Sequence, residues 1–157
     1  MRILGIDPGT ANTGYGLIES KTKIKYLDHG IIQTTPDHCP GERLRQINNN
    51  LSRIISKYKP DLIAIEKVYF FVNKKSVIKV SQAKGSLLLT AAKKKIPVKE
   101  YSPITIKAVI TGNGRAKKEE VGEFVRKILK LKEIPKPDHA ADALAAAITY
   151  VEKLKES

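Results

Sequence analysis

At 157 residues the chain is long enough for a single domain with a continuous core and short for two lobes closing over a nucleotide. Lys and Arg number 29 against 16 Asp and Glu, a formal charge of +13 spread along the chain. That excess favours a polyanionic partner, nucleic acid first, because neutralising phosphates releases condensed counterions; solvated lysine faces are the plainer explanation of the same charge.

The lone cysteine, Cys39, excludes an internal disulfide and suits a reducing cytoplasm, and with its neighbour His38 it reads as loop. The apolar run after Met1-Arg2 is too short for a signal peptide, and no apolar run reaches about 18 residues. A soluble, cytoplasmic protein with no membrane partner is expected.

The first predicted strand, Ile3 to Ile6, ends in Asp7, after which Pro8-Gly9 forces the backbone out of any ladder. Its carboxylate therefore sits at the carboxyl end of a strand. Gly14 to Glu19 reads as a second strand joined by a tight turn, a hairpin. Ile24 to Thr34 offers a third, with Ile24, Tyr26, Ile31 and Ile32 expected on its core face and a bulge expected near Gly30. After the loop 34–41, Leu44, Ile47, Leu51, Ile54 and Ile55 fall at helical spacing, and that helix ends near Lys59-Pro60.

Leu62 to Glu66 repeats the form of the first strand, an apolar run with an acid at its end. One such acid alone is no more than a solvated strand end. Two on adjacent strands repel each other, and a proton or a divalent cation resolves the conflict.

Next comes Tyr69-Phe70-Phe71 between Lys67 and Lys74-Lys75. This aromatic run serves either core or interface packing, or stacking on an exposed base, worth roughly 1–3 kcal/mol. A long helix follows from Ser76 to Lys95, in which Gly85 is expected to allow close packing. Ile96 to Tyr101 is a fifth strand, and Ser102-Pro103 an N-cap and first-turn pair for a short helix to Ile110. Glu100, with Lys99 before it, is left out of the site.

The basic, glycine-punctuated loop 111–118 is expected to cradle a phosphate on its backbone N–H groups, though such loops also occur as plain connectors. It opens a helix with Val121, Phe124, Val125, Ile128 and Leu129 inward. In the last helix His139 and Asp142 lie three apart and share a face that can turn toward Asp7 and Glu66. Asp138 is expected as its N-cap, its alanines allow close approach to the sheet, and Leu144, Ile148, Val151 and Leu154 form its apolar stripe.

This order of elements, with acids on strands one and four and on the last helix, resembles the α/β ribonuclease H-like fold, a five-stranded mixed sheet flanked by helices. More narrowly, the segments Leu4-Gly5-Ile6-Asp7-Pro8-Gly9-Thr10, Thr13-Gly14-Tyr15-Gly16, Ala64-Ile65-Glu66-Lys67-Val68, Gln82-Ala83-Lys84-Gly85 and Ala140-Ala141-Asp142-Ala143-Leu144-Ala145 resemble the RuvC family of Holliday-junction endonucleases. The resemblance implies a homodimer that makes paired symmetric nicks in a four-way DNA junction and leaves 5′-phosphate and 3′-hydroxyl ends. It also implies cooperation with the branch-migration proteins RuvA and RuvB.

Carried over residue by residue, Asp7, Glu66, His139 and Asp142 are the expected catalytic and metal-holding set, with one or two Mg²⁺ ions for which Mn²⁺ can substitute. Many relatives carry an aspartate where this chain has His139, and some carry histidine; Asp138 falls one place too early to match. By the same resemblance Tyr69 contacts the opened junction, and Lys107 and Lys118 lie close to the scissile phosphate. Lys84 and Arg115 join the nucleic-acid contacts from charge and context.

Three other families or classes share part of this pattern. Asp7-Pro8-Gly9-Thr10 also resembles the first phosphate loop of the actin, sugar kinase and Hsp70 group, although a chain of this length supplies only one of the two lobes such proteins close over ATP. Small ribonuclease H-fold nucleases that process ribosomal RNA precursors have a similar first strand. A DNA-binding module without catalysis would explain the charge but not the full set of metal ligands.

Overall fold

The computed structural model describes residues 1–68 and 74–157. Strands β1 (Arg2–Asp7), β2 (Asn12–Ser20), β3 (Ile24–Gln33), β4 (Leu62–Glu66) and β5 (Val98–Tyr101) form one sheet in the order β3-β2-β1-β4-β5. The β1–β2 and β2–β3 pairs are antiparallel, whereas β4 runs parallel to β1 and β5 parallel to β4. Helices α1 (Pro40–Tyr58), α2 (Lys74–Lys93), α3 (Pro103–Thr111), α4 (Lys118–Leu129) and α5 (Asp138–Lys155) complete the chain. This is the mixed, helix-flanked sheet expected of a ribonuclease H-like fold.

The central strands read as unbroken apolar runs because both of their faces are covered. Leu4, Ile6, Ile63 and Ile65 pack with Ile47, Leu51 and Ile55 of α1 and Ala83, Leu87 and Ala91 of α2. Ile3, Leu62 and Ala64 point the other way, into a core shared with α3, α4 and α5. Strand alternation continues that second set one step further, to Asp7 and Glu66, so both acids emerge on the α5 side.

Several local expectations are corrected. The irregularity in the β2–β3 ladder lies between Leu17 and Ile18, where Leu17 faces Asp28 and Ile18 faces Tyr26, not at Gly30. Gly30 instead receives the ring of Tyr15, whose hydroxyl would lie 2.8 Å from an added Cβ. The extra residue, Leu27, also switches the faces of β3: Ile24 and Tyr26 pack with the α5 core, Leu27 and Ile32 with the α1/α2 core. The expected common face therefore does not exist.

α2 ends two residues early because Lys95 takes a left-handed conformation and Ile96 N–H bonds back to Ala91 O, which delays β5 to Val98. An added Cβ at Gly85 meets nothing within 4 Å, so no close packing occurs there. Phe124 and Leu154, expected inside, are 39% and 49% exposed. Ser102 does cap α3, accepting from Thr105 N–H. Among the described residues no helix is long and apolar enough to cross a membrane.

Candidate active site

Asp7 and Glu66 end neighbouring parallel strands whose register pairs Ile6 with Ile65, so the two carboxyl groups stand side by side and share a hydrogen bond. α5 then has to reach them. It does so by lying in a furrow of glycines: Gly5 pairs with Gly16 and Asp7 with Gly14 across β1 and β2. A Cβ at Gly5 would come within 1.8 Å of Ala143 O, one at Gly14 within 2.0 Å of His139 O, and one at Gly16 within 2.5 Å of the Leu144 side chain. From Ala140 to Val151 every residue of α5 except Asp142 is buried, which is why alanine dominates there.

This seating puts His139 Nδ1 2.7 Å from Asp7 Oδ2. Asp142, three residues on, faces the same opening and forms a 2.9 Å ion pair with Lys118 Nζ from the first turn of α4. Asp138 is not the N-cap. Pro137 holds that position, and Asp138 is the first helical residue, 3.9 Å from Lys118 Nζ. Its charge still suits the positive end of the helix.

Glu66, Asp142, Lys107 and Lys118 line a cavity of about 210 Å³ whose other walls are Pro103, Ile106 and Val121. Of these walls the sequence marked Val121 as a core position and Pro103 as a helix start, neither as part of a site, and their low polarity contributes to the electrostatics. Burial, then the charges of Asp7 and Asp142, push the Glu66 carboxyl up to about 8. Burial and the Asp7 charge also raise Asp142, against the opposing pull of Lys118. Desolvation works against the charge of Lys118, but its hydrogen bond to Asp142 and the surrounding carboxylates outweigh it and raise its pKa. The hydrogen bond to Asp7 raises His139 in turn.

Three carboxylates and one imidazole are hard oxygen donors with a single nitrogen, a set that suits Mg²⁺ or Mn²⁺. Their mutual destabilisation is what a cation relieves. Among the described residues no three His, Cys, Asp or Glu side chains form a metal cage; the donor types fit such an ion in chemistry, and Asp142 is paired with Lys118.

Six of the sequence-derived site residues thus converge: Asp7, Glu66, His139, Asp142, Lys107 and Lys118. Arg115 is exposed on the loop before α4, outside the walls of this cavity. Lys84 belongs to α2 on the other side of the sheet, where its Nζ bonds Glu100 at 2.7 Å. Glu100 is directed away from Glu66 by the same alternation that separates Ile65 from it. Tyr69 lies outside the described residues.

Several of the N–H groups expected to form a cradle in loop 111–118 are engaged by protein acceptors. Gly112 N–H bonds Ala108 O, Asn113 N–H bonds Thr111 Oγ1, Arg115 N–H bonds Asn113 Oδ1 and Ala116 N–H bonds Asn113 O. The glycines serve the turn, with Gly112 at φ 80° closing α3.

Residues 3–150 match the family model of the crossover junction endodeoxyribonuclease RuvC. The chain belongs to the RuvC family. It is 45% identical to the RuvC of Fusobacterium nucleatum over 98% of its own length and 82% of that protein's. With the RuvC of Treponema denticola it shares 49% identity, over 95% of this chain and 84% of the other. A solved structure of T. thermophilus RuvC in complex with Holliday junction substrate matches with a TM-score of 0.94 at 35% identity, over 99% of this chain and 96% of that one. The RuvC relationship and the sheet order together make the fold ribonuclease H-like.

Proposed function

We propose that the protein is a homodimeric, cytoplasmic endonuclease, one domain over residues 1–157, that resolves four-way DNA junctions by paired symmetric nicks leaving 5′-phosphate and 3′-hydroxyl ends. The observation that carries this reading is the convergence of Asp7, Glu66, Asp142 and His139 at one edge of the sheet, beside Lys107 and Lys118. The T. thermophilus relative bound to its junction supports the choice of substrate. Membership of RuvC displaces the ribosomal RNA and nucleotide-binding readings. RuvA and RuvB are the proposed partners in branch migration.

Asp7, Glu66 and Asp142 are the proposed carboxylate ligands, with His139 as a further ligand or a proton-transfer group. One or two divalent cations held there, Mg²⁺ or in its place Mn²⁺, supply Lewis-acid polarisation of the phosphate and a more acidic water. Burial and the neighbouring carboxylates favour the protonated form of Glu66, so its use as a ligand would require loss of that proton and cation affinity would rise with pH. An ion on Asp142 would compete with the Lys118 pair, and the charge of Lys118 would then be available to a phosphate in the cavity it lines together with Lys107. His139 keeps its Nδ1 on Asp7, which orients the ring and leaves Nε2 for a proton or an ion.

Tyr69 is proposed to stack at the opened crossover, and Arg115 to hold backbone outside the cavity. Lys84 could contribute only to DNA that passes over the α2 side and only by releasing Glu100.

The test is incubation of the purified protein with a synthetic four-way junction and with linear duplex, each with Mg²⁺, Mn²⁺ or chelator. Metal-dependent paired nicks in the junction alone are expected. Asp7→Asn should lower that cleavage more than about 1,000-fold, ~4 kcal/mol of barrier, with junction binding retained. Binding without nicks under every metal condition would overturn the assignment.

A further inference from the structure

A second cavity, of about 240 Å³, opens at the same edge of the sheet but on the α1/α2 side, and its polar lining is Thr10, His38, Arg43, Lys79 and Gln82. Its position follows from topology. β3 runs parallel to β1, so the start of α1 returns to the edge where Asp7 and Glu66 end, and α2 begins from that edge after β4.

The charged groups facing this cavity are cationic, and no carboxylate lines it. Of the acids nearby in sequence, Glu42 is engaged by Arg45 at 2.6 Å, and Asp37 lies on the exposed turn before α1. Arg43 is held in place: its Nε donates to Thr34 Oγ1 at 2.9 Å, and that buried hydroxyl donates to Thr10 O at 2.6 Å. Thr10 Oγ1 in turn donates to Lys79 O at 2.9 Å, tying α2 to the turn after Asp7. One guanidinium nitrogen is thus spent on orientation, and among the described residues the terminal pair makes no other hydrogen bond or ion pair. A pre-oriented guanidinium with two available nitrogens matches phosphate geometry.

We propose that this cavity is a separate phosphate site, in which Arg43 and Lys79 hold a backbone phosphodiester of the nucleic acid that crosses the acidic edge, with Gln82 as a neutral hydrogen-bonding group. The proposal rests on the reading of the substrate as DNA. Thr10 follows Asp7 by three residues, at most about 11 Å of chain, so the two sites lie within roughly three nucleotides of duplex rise. Such a contact positions the backbone and reads no base.

The experiment measures binding of an end-labelled four-way junction by fluorescence anisotropy, with chelator present, across a salt series. Arg43→Gln and Lys79→Gln should each weaken binding roughly three- to tenfold, and the double variant should lower the slope of log affinity against log salt by about one. Lys153→Gln, the same charge loss at the far end of α5, should leave affinity and slope unchanged. Because Arg43 also braces Thr34, its thermal midpoint is followed and Arg43→Lys is expected to recover part of the affinity; Lys79 contributes only its carbonyl to the contacts seen. Wild-type binding with an unchanged double variant would overturn the proposal. So would loss of a thermal shift with inorganic phosphate in the variants while junction affinity stays the same, since the cavity would then serve a free anion. Failure of the wild-type protein to bind the junction would instead refute the substrate reading.

Discussion

Glu66 carries a tension that its neighbours share. Its carboxyl is raised to about 8, and Asp142 and His139 are raised as well, the first two chiefly by burial and His139 by its hydrogen bond to Asp7. A group that binds its proton more tightly folded than unfolded stabilises the fold while protonated, and the contribution fades as pH rises through the folded value. All three shifts have that sign, so the metal-free protein should melt at progressively lower temperature between about pH 5 and pH 8. Glu66→Gln should flatten the profile most, and a divalent cation should raise the midpoint more at pH 8 than at pH 5. Thermal denaturation in chelator, with and without Mg²⁺, checks this; a flat wild-type profile would contradict the burial of Glu66.

Between elements, the decisive contact is that of α5 with the glycine furrow of β1 and β2. Gly5→Ala would force a Cβ to 1.8 Å from Ala143 O, a backbone atom that cannot rotate away. Overpacking of this kind costs about 3 kcal/mol or more, so the melting temperature should drop by about 6–12 °C. Cleavage should suffer with it, because α5 carries both His139 and Asp142. Gly85→Ala is the matched contrast: it meets nothing within 4 Å on an exposed helix face, and relief of the glycine penalty should stabilise by about 0.5–1 kcal/mol. In the sequence Gly5 lies within an apolar strand and Gly85 between Lys84 and Ser86, and neither setting marks a close backbone contact. Which one sits against another backbone depends on what packs over it.

The whole molecule presents +13 of charge, yet the edge that gathers the acids is bordered by cations on both sides of the sheet: Lys107 and Lys118 on one, Arg43 and Lys79 on the other. A polyanion can cross such an edge only if these cations offset the carboxylates. Junction affinity should therefore fall steeply with salt, by about a thousandfold or more between about 50 and 200 mM if six or more phosphates are contacted. Anisotropy titrations at several salt concentrations give the slope, and a salt-insensitive affinity would remove electrostatics as the source of binding.

Apolar runs capped by acids, the 3.6-residue spacing of α1, the Ser102-Pro103 helix start and the alanines of α5 were all legible from the chain, because period, turn chemistry and side-chain size are local properties. They sufficed for the five strands, for Asp7 and Glu66 as neighbours, and, through family motifs, for His139 and Asp142. Three things needed the tertiary structure. Lys84 found Glu100 on the far side of the sheet, several N–H groups of loop 111–118 were taken by acceptors in the loop and in α3, and Arg43 was braced through Thr34 to Thr10. Each joins residues or backbone groups whose partners are set by how the chain folds back on itself, and charge or glycine content read along the chain does not say where a side chain or an N–H will be spent.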